Sequence, residues 1–311
     1  MKRNADSTKA LENHRQEINE MRKQGVAWVA LLLALGALSL AIVQSLRKTG
    51  VPGSSSMSEG TLTRTLQDKR LRVGYINYPP SAFKDPQTGK VTGHFVDTLN
   101  EIVRQLDPSI QIDYEETTWT DFGAALNTKR IDLSIAGTFA TIPRAKVVAF
   151  TRPLVYLGRS AIVRKGDARF SAQAGPTQFD RPDVKVGVVD GEGSHEFVKA
   201  NFKNQANIVV FSGSDLSQCL AAVSAGQVDV GMSDALETTK YAKAHPEVVD
   251  LFADQPYDLT PISWAVRQDD LAWKAFLDTA LGTLEAQGKL AAFERKYDYR
   301  WVQPVTEYKK R

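Results

Sequence analysis

One cysteine, Cys219, stands alone in 311 residues. This excludes an intrachain disulfide and any zinc or iron–sulfur centre that needs several thiolates. Histidine is scarce as well: His14, His94, His195 and His245 are scattered, with no metal-ligand spacing among them. Serine, cysteine or metal hydrolysis is therefore not expected, nor is a metal or another cofactor, and no residue is assigned a catalytic role. Charge of one sign is also missing, since 39 Lys and Arg face 36 Asp and Glu. The small excess is local. Residues 1–48 hold eight basic and four acidic groups, a net of +4, and the other 263 residues hold 31 basic and 32 acidic groups, a net of −1. A phosphate backbone needs a basic surface, so no nucleic-acid partner is expected.

One long hydrophobic run is present. Gln24 to Leu46 carries no charged residue. The 22 residues 25–46 span ~33 Å as a helix, enough to cross a hydrocarbon core. Lys9, Arg15, Arg22 and Lys23 precede the run and only Arg47 and Lys48 follow it closely. The positive-inside bias then puts residues 1–24 in the cytoplasm as a tail and the remainder outside a bacterial inner membrane, in the periplasm. A cleaved signal peptide, leaving the protein free in the periplasm, is the competing reading. The 24-residue polar leader and the length of the run favour an uncleaved anchor. No cysteine follows for lipid attachment. Val51–Thr61, VPGSSSMSEGT, reads as part of a flexible linker over residues 47–69.

From Leu71 onward short β-rich runs alternate with helical patterns, which indicates α/β layers with largely parallel sheets. Phe95–Leu106 has apolar residues at helical spacing, as does Asp270–Gln287. An internal echo links two stretches. Ala124-Ala125-Leu126 followed by Ile131-Asp132-Leu133 recurs as Ala221-Ala222-Val223 followed by Val228-Asp229-Val230, at a constant offset of 97. Two similar lobes, each presenting strand ends to a shared crevice, would produce that pattern.

Several stretches carry a family resemblance: LRVGYINYPPSAF, GHFVDTLNEIVRQL, WTDFGAALNTKRIDLSIAGTFATIPRAKVVAFTRPL, VKVGVVDGEGSHEFV, VDVGMSDA, ISWAVRQDD and LEAQGKLAAFERKYDYRW. In this order they resemble the family 3 extracytoplasmic solute-binding proteins of polar amino-acid ABC importers. The resemblance implies a two-lobed periplasmic-binding-protein fold of type II, each lobe a mostly parallel sheet flanked by helices. It divides the chain into lobe 1 over 70–158, lobe 2 over 159–259, a return to lobe 1 over 260–303, and a tail at 304–311. It also implies a small zwitterionic ligand and an ABC permease as partner, whereas the expected membrane contact comes from the apolar run at 25–46.

By the same resemblance Arg144, closing Thr141-Ile142-Pro143-Arg144, binds the ligand carboxylate, a role that suits a planar, always-charged fork. Asp234 pairs with the ammonium, although Asp there also suits a helix cap. Trp119 and Tyr78 supply apolar walls. Gly137, Thr138 and Thr141 offer polar contacts, and Ser194 beside Gly193 lies where a helix start aims amides at an anion. Asp97 is read as a cap. Phe139 departs from the family, which usually has Ser or Thr there. The absence of an acid at Tyr75, Ile76 and Asn77 disfavours a cationic ligand. A dehydratase on the same fold, of the cyclohexadienyl type, is the alternative. It needs an acid in the cleft, for which Glu192 and His195 are the nearby candidates. A solute-sensing module is a further class, expected to precede a kinase or cyclase domain.

Overall fold

The computed structural model describes residues 60–297. The expected cytoplasmic tail, membrane helix, most of the linker and the C-terminal tail lie outside the described residues. Among those described, no helix is long and apolar enough to cross a membrane. The expected linker is not all linker: Thr61–Asp68 forms helix α1. Its first amide, Thr61 N, donates to Asp270 Oδ2 at 3.0 Å, and Asp270 is itself paired with Arg267.

The first lobe contains β1 (Arg70–Tyr75), the short pair β2 (Phe83–Lys84) and β3 (Val91–Thr92), α2 (His94–Leu106), β4 (Gln111–Glu116), α3 (Phe122–Asn127), β5 (Leu133–Phe139), α4 (Ile142–Ala145) and β6 (Ala149–Phe150). The long strand β7 (Val155–Arg164) leads to β8 (Val186–Val189), α5 (Gly193–Asn201), β9 (Ile208–Phe211), α6 (Ser217–Ser224), β10 (Val230–Asp234), α7 (Ala235–Ala244) and β11 (Val248–Asp250). The equally long β12 (Tyr257–Val266) returns the chain to α8 (Leu271–Ala286) and α9 (Lys289–Lys296). Helix α2 forms because Phe95, Val96, Leu99, Ile102 and Val103 fall on one face, and that face is buried. It packs in one cluster with Leu71, Val73, Leu133, Trp264 and Trp273. A separate cluster around Val163, Phe179, Val186, Val198, Met232 and Phe252 holds the second lobe.

The expectation of mostly parallel sheets needs correction, because the sheet is mixed. Its order is β4-β1-β5-β12-β7-β10-β8-β9. β4, β1 and β5 are parallel, as are β10, β8 and β9, whereas β5–β12, β12–β7 and β7–β10 are antiparallel. These intervening reversals turn the second parallel set against the first. The C-terminal ends of both sets therefore meet where β7 and β12 cross between the lobes: Phe139 pairs with Ile262 and Asp234 with Arg159. Gly158, Arg159 and Pro261 interrupt the apolar alternation of the two long strands, which hides their strand character in the sequence.

The echo at offset 97 is a structural repeat. Lys129 and Gly226 both adopt left-handed turns, at φ 59° and 70°. Asp132 Oδ2 accepts from Arg72 N at 3.0 Å, and Asp229 Oδ2 accepts from Lys185 N at 2.9 Å. In each lobe the acid opening the strand ties it to a neighbouring parallel segment.

Strand β5 bulges against β12, since Ser134 to Thr138 oppose only Ala265 to Ser263. Gly137 absorbs the bulge at φ 66°, and a Cβ there would collide with the Phe95 ring. Gly137→Ala is expected to cost about 1–3 kcal/mol through strain and overpacking. Chemical denaturation of the full chain would show this as a lower midpoint; an unchanged midpoint would refute the account of the bulge.

Candidate ligand-binding cleft

The sequence-assigned residues gather at the strand ends that meet between the lobes. Tyr78 follows β1 in the turn closed by its bridge to Ala82, and Trp119 precedes α3. Thr141 caps α4, which carries Arg144. The β8 end leads into α5, and the β10 end is Asp234 itself. Open α/β sheets place ligands at such carboxyl ends.

Arg144 is only 6% exposed, and each of its nitrogens donates. Nε reaches Glu196 Oε1 at 2.7 Å, Nη1 reaches Phe139 O at 3.1 Å, and Nη2 reaches Gly191 O at 2.6 Å. Glu196 and Gly191 belong to the second lobe, so two of these bonds cross the cleft. Thr141 Oγ1 adds a third crossing by donating to Glu196 Oε2 at 3.2 Å. Burial pushes the guanidinium pKa down, against the opposing pull of Glu196 and Glu192.

Asp234 is 2% exposed, and its two oxygens divide the roles that sequence reasoning set in competition. Oδ1 caps α7 by accepting from Leu236 N and Glu237 N, each at 2.9 Å. Oδ2 accepts from the Tyr78 hydroxyl on the other lobe at 2.8 Å. Burial raises its pKa, and the helix amides and Tyr78 hold the rise in check. Trp119 packs edge-on against Tyr78 at 5.9 Å and donates from Nε1 to Ser214 O across the cleft at 3.1 Å. Both aromatic rings join an apolar cluster with Leu216, Cys219 and Leu220 of the second lobe.

The other three assigned residues make none of these cross-lobe bonds. Gly137 is placed by the β5 bulge. Thr138 lies buried beside Ser263 in the β5–β12 ladder and makes no hydrogen bond to the cleft residues among those described. Ser194 is buried but does not cap α5: Glu192 is the cap, and its Oε2 accepts from Ser194 N at 2.6 Å. Ser194 Oγ has no partner. Of the two acids weighed for a dehydratase, His195 sits between Gly191 N at 3.1 Å and Asp190 at 3.2 Å, with its pKa lowered chiefly by desolvation. Glu192 is 2% exposed and its Oε1 is unpartnered. Burial pushes its pKa up to about 7; Arg159 and Arg144 oppose the rise and Asp234 adds to it. Among the described residues, no group of His, Cys, Asp and Glu could hold a metal ion.

Sequence reasoning missed Glu196 and Arg159. Glu196 reads as one more exposed helix acid until its partners on the opposite lobe are placed. Arg159 is 1% exposed on β7. Its Nη1 donates to Asp258 O at 3.0 Å, to Thr260 Oγ1 at 3.2 Å and to the Asp258 carboxylate, and the guanidinium lies over the Phe139 ring at 4.3 Å. An arginine in the middle of a mostly apolar strand was the available signal, since arginine is almost never fully buried without a partner.

The chain resembles known proteins in fold and in part of its sequence. Cyclohexadienyl dehydratase of Pseudomonas aeruginosa is 26% identical over 265 residues, covering 84% of this chain and 95% of the enzyme. The L-cystine-binding protein TcyJ of Escherichia coli is 24% identical over 264 residues, 85% of this chain and 93% of the relative. The crystal structure of the ancestral amino acid-binding protein AncCDT-1, a precursor of cyclohexadienyl dehydratase, superposes with a TM-score of 0.65 at 25% identity, covering 76% of this chain and 99% of that one. Residues 71–299 match the bacterial extracellular solute-binding proteins, family 3, and the chain belongs to that family.

Proposed function

We propose that this protein is an extracytoplasmic receptor that closes its lobes over a small zwitterionic solute, an amino acid or close derivative, and delivers it to an ABC importer. The pairing of Arg144 with Asp234 carries the reading: a buried cation on one lobe and a buried anion on the other, each bonded across the cleft. A solute carboxylate takes the place of Glu196 on Arg144, and the solute ammonium meets the Asp234 oxygen that now accepts from Tyr78. The two contacts exist together only when the lobes are closed, so the solute favours that state. Tyr78 and Trp119 wall the solute side chain. The cystine-binding relative supports this reading. We further propose that residues 25–46 stay uncleaved and tether the domain to the periplasmic face of the inner membrane beside the permease.

A second reading rests on Glu192. A buried carboxyl with its pKa pushed up to about 7 and one unpartnered oxygen is a candidate general acid. The dehydratase relative gives that candidate a reaction class, loss of a hydroxyl from a cyclohexadienyl carboxylate.

Calorimetry of the full chain against a panel of amino acids, amino-acid derivatives and prephenate separates the readings. The receptor reading expects binding without turnover. Arg144→Lys keeps the charge but loses the fork, and Asp234→Asn keeps the α7 cap but loses the charge. Each should weaken binding at least about 30-fold, the cost of breaking a buried charged pair. Wild-type affinity in both variants would sink the proposal.

The dehydratase reading instead expects turnover that is greatest below pH 7 and falls as Glu192 ionises above it, because a general acid acts in its protonated form. Glu192→Gln would abolish that turnover while leaving prephenate bound. For the anchor, mass spectrometry of the mature protein is expected to recover peptides spanning 25–46, and a mature N-terminus beyond residue 46 rules the anchor out.

A further inference from the structure

We propose that Arg159 takes a second carboxylate of the solute, apart from the one bound by Arg144, and that the preferred ligand is therefore an amino acid or derivative with two carboxylates. This rests on the binding reading above and specifies its ligand class.

The two buried arginines differ in how they are satisfied. Every nitrogen of Arg144 already donates. Arg159 directs three hydrogen bonds through Nη1 alone, to Asp258 and Thr260, while its buried Nε has no partner. The Nε–Nη2 edge of a guanidinium is one that a carboxylate can engage through both oxygens. Nη2 lies against the first turn of α5, 2.8 Å from where a Cβ on Gly193 would stand. Gly193 itself has no room for a side chain, because the Phe139 ring is 2.5 Å from the same point. The ring thus fixes the guanidinium from one face. The glycine keeps the α5 amides close to the cation's free edge.

Unpartnered buried polar atoms are rare, and a charged one is costly to leave unmatched. Here they cluster. Glu192 Oε1 and Ser194 Oγ, both buried at the start of α5, are unpartnered like Arg159 Nε, yet no ion pair joins Glu192 to Arg159. Groups that leave one another unsatisfied suit a third, incoming group. A carboxylate fits all of them: it accepts from the Arg159 edge and the Ser194 hydroxyl, and from Glu192 when that carboxyl is protonated. Position supports the same conclusion. Arg159 is the direct cross-strand partner of Asp234, so its Cα adjoins that of the ammonium-binding residue.

Matched acid and amide ligands test this with the full chain. L-glutamate against L-glutamine and L-aspartate against L-asparagine differ only in the second carboxylate. In the wild type at least one acid is expected to bind about tenfold or more tighter than its amide, the worth of a hydrogen bond to a charged group. Arg159→Gln should bring that acid toward parity by weakening acid binding more than amide binding. Asp258→Asn removes the competing carboxylate from an exposed turn whose φ of 48° asparagine tolerates. It should widen the preference, and it carries the test should the Arg159 variant fail to fold. Equal affinities in the wild type, equal weakening of acid and amide by Arg159→Gln, or an unchanged ratio in Asp258→Asn would each overturn the proposal while leaving the receptor reading intact. No binding by any amino acid or derivative in the wider panel would overturn both.

Discussion

A guanidinium cannot shed its charge, and most of this structure's cleft follows from burying one at Arg144. A free guanidinium titrates far above any physiological pH, so burying one has to be met by acceptors. Only one of them, the Phe139 carbonyl, comes from its own lobe. The Glu196 carboxylate and the Gly191 carbonyl come from the other, on the segment that opens α5. Separating the lobes would hand these bonds to water. The Arg144 bonds, the Tyr78–Asp234 bond and the Trp119–Ser214 bond thus work as one set, made or broken together with the apolar contacts between Trp119 and Leu216. Each is individually modest, because water competes for every partner. The closed arrangement is therefore one that a ligand offering better acceptors and donors can take over.

The second constraint is topological. Among the described residues, β7 and β12 join the two halves of the sheet, and their crossing is irregular: the register shifts between Tyr257 and Thr260, Asp258 is left-handed, and Pro261 sits within the strand. Arg159, Asp258 and Thr260 share this crossing. Any change in lobe angle has to be absorbed there, in the backbone that carries the Arg159 side chain and its acceptors. The site and the pivot are consequently not separable parts of the molecule. A ligand held by Arg159 would bear directly on the strands that set the angle between the lobes.

How much of this is legible in sequence follows from the range over which each feature is determined. Helix α2 is local, since its apolar face is spelled out within one stretch of chain. The offset-97 repeat is local too, and its acids Asp132 and Asp229 prove to do the same work in each lobe. Arg144 and Asp234 are picked out in sequence by short motifs at or just after strand ends. By contrast, Arg159 bonds to Asp258 across a separation of 99 residues, and Glu196 reaches Arg144 across 52. Neither has a neighbour in sequence that announces the contact. The antiparallel crossing was missed for the same reason: Gly158 and Arg159 break the apolar alternation of a strand whose partner lies about a hundred residues downstream. Gly137 and Thr138, assigned to the ligand by motif, are held in place by the bulge against β12.

Phe139 brings these threads together. Where the family usually supplies a small hydroxyl, this chain has a ring, and taken alone that change removes a polar contact from the cleft. The structure gives it a partner. The ring packs against Gly193 and lies beneath the Arg159 guanidinium at 4.3 Å, an arrangement worth about 0.5–2 kcal/mol as a cation–π contact. A serine or threonine side chain is too short to cover a guanidinium in this way, and a residue larger than glycine at 193 would displace ring and cation alike. Phe139, Arg159 and Gly193 therefore form an interdependent set. Together they set a buried positive charge beside the start of α5, the group that the proposed second carboxylate would meet.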